Sequence, residues 1–229
     1  MMGGGGSVID SGFHFLDTIQ YFYGEPEQVY AELRFLSPDR APASGPDVAQ
    51  DRENAAVIVF TFKSGVVGTW CWSMQVPGKE TRDCVIYGTE GSIEDTGYSN
   101  RFVVYHQFRG VGELRRRDGT YLSMSEMQAQ MRQAIGPERL QAYFPNGVTD
   151  HFAIELWDFL DAIEKGRKPE VDGWGGLATT ALVEAIYESN WAGRAVKVAD
   201  VLSGEAYHGW QREIDEYWEE RQPPKLARG

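Results

Sequence analysis

Near the start of the chain, Asp10, His14, Asp17 and Tyr21 recur at separations of four, three and four residues. That spacing places all of them on one face of an α-helix, each about one turn from the next. An imidazole with a carboxylate one turn before it can act as a general acid and base. The carboxylate steadies one ring nitrogen in its protonated form and leaves the other free for a ligand. Val8, Ile9, Phe13, Phe15, Leu16, Ile19 and Phe22 surround this segment with apolar residues, which predicts a largely buried helix. A buried acid beside a buried imidazole needs a purpose, because unpaired polar groups away from water are costly. Spacing alone leaves two readings open, a working pair or a satisfied core pair. The same geometry would allow two metal ligands from one helix, but no third ligand is fixed by the sequence and no metal is assigned.

The elements that must position these residues follow from periodicity and punctuation. Residues 7–23 read as a helix with Ser7 as N-cap, stopped by Gly24 and Pro26. Residues 29–36 alternate as a strand, and the Pro/Ala/Ser/Asp-rich stretch 37–51 reads as a loop. A meander follows, with strands expected at 55–62 and 66–74 around Lys63-Ser64-Gly65, then at 82–87, 92–95, 101–106 and 112–116. The four residues Gly88-Thr89-Glu90-Gly91 read as a tight turn. Helices are predicted over 124–135, ended by Gly136-Pro137, over 150–165 with Gly166 as C-cap, and over 174–192, closed by Gly193. In the second of these, Phe152, Leu156, Phe159, Leu160 and Ile163 form one stripe. Residues 196–201 read as a short strand or extended segment, and 207–220 as a terminal helix. A helix, a block of strands and then helices predict an α+β fold: an open-faced, mostly antiparallel sheet of about six or more strands with helices on one face. A single domain is expected over 1–220, with a frayed tail at 221–229.

Composition narrows the function classes. The chain has 229 residues, is 42% hydrophobic, and carries a formal net charge of −12. Its one cationic run, Arg115-Arg116-Arg117, leads into Asp118-Gly119, the signature of a hairpin turn rather than of a phosphate-backbone contact. Nucleic acid is therefore not expected as a partner. No run of eighteen apolar residues suggests a membrane span, and the start has neither the basic flank nor the apolar core of a signal peptide. The two cysteines, Cys71 and Cys84, form no CxxC and read as reduced thiols, so the expected location is the cytoplasm. No strand–GxGxxG–helix unit is present: Gly3–Gly6 has the glycines but no strand before them, and reads as a leader or linker rather than a dinucleotide cradle.

The run Gly6-Ser7-Val8-Ile9-Asp10-Ser11-Gly12-Phe13-His14-Phe15-Leu16-Asp17 resembles the G-x-x-x-D-x-G-x-H-x-x-D signature that opens the second domain of the glucose–fructose oxidoreductase / inositol dehydrogenase family (Gfo/Idh/MocA). Tyr21-Phe22-Tyr23-Gly24-Glu25-Pro26, the turn Tyr87-Gly88-Thr89-Glu90-Gly91-Ser92-Ile93, the segment Phe159–Gly166 with Pro169–Gly173, and Glu184–Ser189 are similar to further family segments, in the same order. The resemblance implies the substrate-binding, catalytic half of an NAD(P)-dependent oxidoreductase acting on a sugar, cyclitol or related polyol. It assigns His14 as acid/base for the reacting hydroxyl, and Asp10 to that hydroxyl or to the imidazole. Gly12 would let substrate or cofactor approach the helix. Asp17, Tyr21, Lys79 and Arg82 complete the substrate-side candidates, Asp17 with a supporting role favoured.

The family's N-terminal Rossmann domain and its catalytic lysine are missing from the sequence. The resemblance therefore implies that NAD or NADP serves the complete enzyme and does not bind this chain alone. A separate Rossmann-domain subunit is one expected partner, and a second copy joined through the open sheet face is another. Two rivals remain: a non-redox isomerase or lyase on keto-sugars that reuses the Asp10/His14 pocket, and a non-catalytic oligomerisation module. His106 and His208 are weaker candidates, His151 reads as a capping or packing residue, and Trp70 with Trp72 form a stripe read as interface or core rather than sugar platform.

Overall fold

The computed structural model describes residues 6–10, 12–36, 53–73, 83–96, 112–206 and 209–220. The chain divides into two compact units, Met1–Gly78 with Trp174–Gly229, and Lys79–Gly173. In chain order the elements begin with α1 (Ser7–Asp10), α2 (Gly12–Tyr23), β1 (Pro26–Arg34), β2 (Ala55–Phe62) and β3 (Val67–Ser73). They continue with β4 (Asp83–Gly88), β5 (Gly91–Thr96), β6 (Gly112–Arg116), β7 (Tyr121–Ser123), α3 (Met124–Tyr143) and α4 (His151–Lys165). The last are α5 (Gly173–Ala192), β8 (Val196–Lys197), α6 (Val198–Ser203) and α7 (Trp210–Glu219). The class is α+β, as expected, but among the described residues the strands form two antiparallel sheets of four, ordered β3-β2-β1-β8 and β4-β5-β6-β7. A sheet of six or more is thus corrected to two of four. Strand periodicity counts strands and reports their faces, but it carries no information on which edges pair.

In the first unit, alternation along β1 and β2 sends Val29, Ala31, Leu33, Ala56, Ile58, Phe60 and Phe62 to one side. There they pack with Leu16 and Ile19 of α2 and with Leu182, Val183, Ile186 and Tyr187 of α5 in one hydrophobic core. The other face stays open, exposing Tyr30, Val57 and Val67. Strand β8 pairs with β1 only at Gln28 and Val29. Beyond that point, two side chains of α5 take over the ladder. The Ala31 N–H donates to Ser189 Oγ at 3.0 Å and the Leu33 N–H to Asn190 Oδ1 at 2.7 Å, so the strand edge is satisfied without a further strand.

In the second unit, Gly88 and Gly91 close the β4–β5 hairpin, and Asp118-Gly119 turns β6 into β7 as the sequence predicts. Helix α4 starts at Asp150, whose carboxylate accepts the Ala153 N–H, and ends at Gly166 in the left-handed region, φ 64°. Its stripe Phe152, Leu156, Phe159, Leu160 and Ile163 is exposed, and only Ala162 of the helix is buried. Helix α3 runs beyond its predicted end. Gly136 interrupts it with φ 74°, and Pro137 starts a second helical stretch, where its missing N–H costs nothing. A second correction concerns 196–201: only Val196 and Lys197 are extended, and Val198–Ser203 is helical, capped by Gly204 at φ 83°. The expected strand at 101–106 and the tail at 221–229 lie outside the described residues.

Candidate functional site

Helices α1 and α2 are built with two unlike faces. Val8, Gly12, Leu16 and Ile19, at steps of four, four and three residues, turn into the core. Asp10, His14 and Tyr21 lie on the opposite side and are exposed. The expected burial of the Asp10/His14 pair is therefore corrected. The aromatic residues near it, Phe13 and Phe15 among them, are only partly buried, because the core takes up one narrow stripe of the helix. Asp10 closes α1 and His14 is the third residue of α2, four positions on, and no hydrogen bond joins them. With its ring open to solvent, His14 has access to any ligand placed over this face.

Behind that face the helix is fixed at several points. Trp70 of β3 lies against Gly12, where a Cβ would sit 3.0 Å from the Trp70 ring, and it packs on Phe15 at a centroid distance of 4.7 Å. A side chain at position 12 would press on the Trp70 ring, so Gly12 favours the close packing of Trp70 on the helix, a role distinct from the substrate approach that the family resemblance implies. Trp70 and Trp72 pack against the core, in line with the bland reading of that stripe. Asp17 is drawn to α5: the Thr179 hydroxyl donates to its Oδ1 at 3.3 Å, and Gln20 Nε2 donates to Thr179 Oγ1 at 3.0 Å. These contacts make Asp17 a brace between α2 and α5. Tyr21 is 73% exposed, with its ring edge-on to Phe22. Lys79 and Arg82 lie outside the described residues, as do His106 and His208. His151 is the exposed first residue of α4, its ring 4.3 Å from that of Phe152, while Asp150 supplies the cap.

Sequence reasoning missed Glu53. Only 3% exposed, it accepts the Val8 N–H and the Tyr187 hydroxyl on Oε1, each at 2.9 Å. The Tyr187 hydroxyl in turn accepts the Gly6 N–H at 3.3 Å. Burial and the neighbouring Glu53 carboxylate push the Tyr187 phenol far above its ordinary range, so it serves as a donor to Glu53 and never as an anion. Ser7, the expected N-cap, is the first residue of α1, and the Val8 amide after it takes its acceptor from a residue forty-five positions away. The available signal was a lone glutamate two residues before an apolar strand, which local reading leaves as loop.

Among the described residues, no strand runs into a glycine-rich turn and helix, the arrangement that seats a dinucleotide pyrophosphate. Nor does any group of three or more His, Cys, Asp or Glu among them have metal-binding geometry. Cys71 and Cys84 form no disulfide with each other. No helix of the described residues is long and apolar enough to cross a membrane.

Residues 3–198 match the oxidoreductase family, C-terminal alpha/beta domain, of the Gfo/Idh/MocA group. No curated protein matches the chain. Among solved structures, an oxidoreductase from Agrobacterium radiobacter in complex with NAD+, L-tartaric acid and magnesium is similar with a TM-score of 0.57 and 22% identity, covering 84% of this chain and 49% of its own. Aldose-aldose oxidoreductase from Caulobacter crescentus, complexed with glycerol, gives a TM-score of 0.58 and 25% identity over 85% of this chain and 48% of its own. The WlbA dehydrogenase from Bordetella pertussis, in complex with NADH and UDP-GlcNAcA, gives 0.52 and 19% over 84% and 45%. The chain spans about half the length of each of these proteins.

Proposed function

Because the chain belongs to the Gfo/Idh/MocA oxidoreductase family, as its C-terminal alpha/beta domain, we propose that it supplies the substrate side of an NAD(P)-dependent oxidoreductase acting on a sugar, cyclitol or related polyol. The observation that carries this reading is the Asp10/His14 face: an acid and an imidazole four positions apart, free of hydrogen bonds to each other, on a helix braced from behind. His14 takes the proton from the substrate hydroxyl in oxidation and returns it in reduction. Asp10 holds the same hydroxyl or orients the ring. A nicotinamide, when bound, accepts or donates the hydride at the carbon that bears this hydroxyl. On this reading the hydride step needs a held dinucleotide, and a nucleotide-binding domain of the family would supply it. The open outer face of the first sheet, with Tyr30, Val57 and Val67 exposed, suits pairing with a second copy of the chain.

The test has two arms. Titrated alone with NAD+ or NADP+, the chain gives no binding isotherm. Combined with a nucleotide-binding domain of the family, it forms NAD(P)H from members of a polyol panel, and His14→Ala lowers kcat by at least about a hundredfold without shifting the melting temperature. Turnover within about threefold of the parent in His14→Ala refutes the reading.

A further inference from the structure

A carboxylate buried as deeply as Glu53 is expensive, and among the described residues it has no cation to compensate it. Its Oε1 takes two donors and its Oε2 has no hydrogen-bond partner. Both donors serve the same end of the same helix. One is the Val8 amide in its first turn; the other is Tyr187, whose oxygen holds the Gly6 amide just before it. The backbone at Gly6 is pressed onto this node so closely that a Cβ would lie 2.4 Å from the Glu53 carbonyl oxygen and 2.7 Å from Oε2. The Asp10 N–H then donates to the Gly6 carbonyl at 3.0 Å, so Asp10 stands one helical turn from the anchored residue and His14 four positions beyond.

We propose that Glu53 is a positioning residue: with Tyr187 it locks the first turn of the helix and thereby sets Asp10 against His14, an inference that rests on reading those two as the working pair. A helix start on the surface leaves its first amides to water or to a local Ser, Thr or Asp cap, and it frays. Here the acceptor is a charged group from β2's approach, buried and tied to α5, and charge-assisted bonds of this kind are stronger than neutral ones. Asp10 sits where fraying would reach first. His14, in the longer α2, is held independently by Gly12, Leu16 and the Trp70 contact. Loss of the node therefore moves the carboxylate and leaves the imidazole where it is.

Amide hydrogen exchange on the chain tests this without any assumption about turnover. In Glu53→Ala, the amides of Val8–Asp10 should exchange about tenfold faster or more, while those of Ala31 and Ile58 in the sheet stay within about twofold. Glu53→Gln keeps the Oε1 acceptor and should restore protection to within about threefold of the parent. Should Glu53→Ala fail to fold, Tyr187→Phe removes the Gly6 acceptor and one of the two donors to Glu53 while leaving the Val8 contact, and should speed exchange at the same amides. In the complete enzyme, Glu53→Ala should lower kcat more than it raises KM, with Glu53→Gln recovering most of the loss. Unchanged exchange at Val8–Asp10, equal acceleration throughout the core, or no recovery with Gln overturns the proposal. An inert His14→Ala would instead overturn the reading beneath it, and the exchange pattern separates the two failures.

Discussion

Helix α5 carries two neighbouring acids whose burial has a consequence that can be worked out in sign and size. Glu184 and Glu188 lie one turn apart; Glu188 is 3% exposed and Glu184 is half-buried. Burial first, and then the Glu188 charge, push the Glu184 carboxyl from 4.5 up to about 7; the Trp210 indole N–H, which turns toward it without reaching hydrogen-bond geometry, offsets part of the rise. The folded protein therefore keeps a proton on Glu184 through a range in which the unfolded chain has lost it. Stability linked to this group is fully present below about pH 4.5 and is lost as pH rises through about 7. A displacement of that size corresponds to about 3 kcal/mol if fully expressed. Because the side chain is partly open to water, screening reduces it to about 1–2 kcal/mol. Glu184→Gln removes the titration while keeping the shape. Urea denaturation should find the variant and its parent equal to within about 0.5 kcal/mol at pH 5, and the variant more stable by about 1–2 kcal/mol at pH 8. Other titrating groups are common to both proteins and cancel in the difference. A difference that is the same at both pH values would refute the reasoning.

Two further outcomes follow from single contacts. Ser189→Ala strips the acceptor from the Ala31 N–H and the donor from the Arg194 carbonyl, the former deep in the core, and should cost about 2–3 kcal/mol in denaturant unfolding; a loss below about 0.5 kcal/mol would mean that the strand edge finds another partner. In the second unit, Arg167 donates to Asp158 at 2.7 Å and to Asp161 at 2.8 and 2.9 Å. The Glu170 backbone N–H, followed by Arg167, holds the Asp158 carboxyl below its ordinary range, and Lys165 and then Arg167 do the same for Asp161. Arg167→Ala should lower the melting temperature in dilute buffer, with an effect that shrinks in concentrated salt and vanishes once pH falls below the usual carboxylate range; a salt-independent loss would point to packing instead.

What the sequence makes legible here is local chemistry. Asp118-Gly119, Gly166 and Gly193 announce their turns and caps because each position needs a backbone state that few residues supply. Strand β2 was readable to the residue because its alternation meets a core on one side only. Sheet pairing was not readable, since it depends on which edges meet after collapse. Nor was the fate of 196–201, where β-branched valines favour a strand but Val198 and Val201 find their burial by forming one helical turn and a half against the core. The Glu53 node was invisible for a related reason: its partners are forty-five and 134 residues away.

The orientation of His14 shows how a pattern can be present and still be misread. Apolar residues counted all round the helix suggest full burial. The stripe that the core uses is Val8, Gly12, Leu16, Ile19, and it contains a glycine, which no hydrophobic count registers. Once Gly12 is recognised as a packing surface for Trp70, the 3.6-residue period points inward along that line and leaves Asp10 and His14 on the outside. The correction changes the mechanism as well as the geometry. The imidazole is open to solvent in this chain, and between exposed groups water reduces a charge interaction at about 4 Å to about 1 kcal/mol. On the proposed reading, the catalytic strength of His14 must come from whatever covers this face and excludes water from it. What this chain supplies is placement: a helix braced from behind by Trp70, Thr179 and Glu53, with its acid and imidazole already set four positions apart before anything binds.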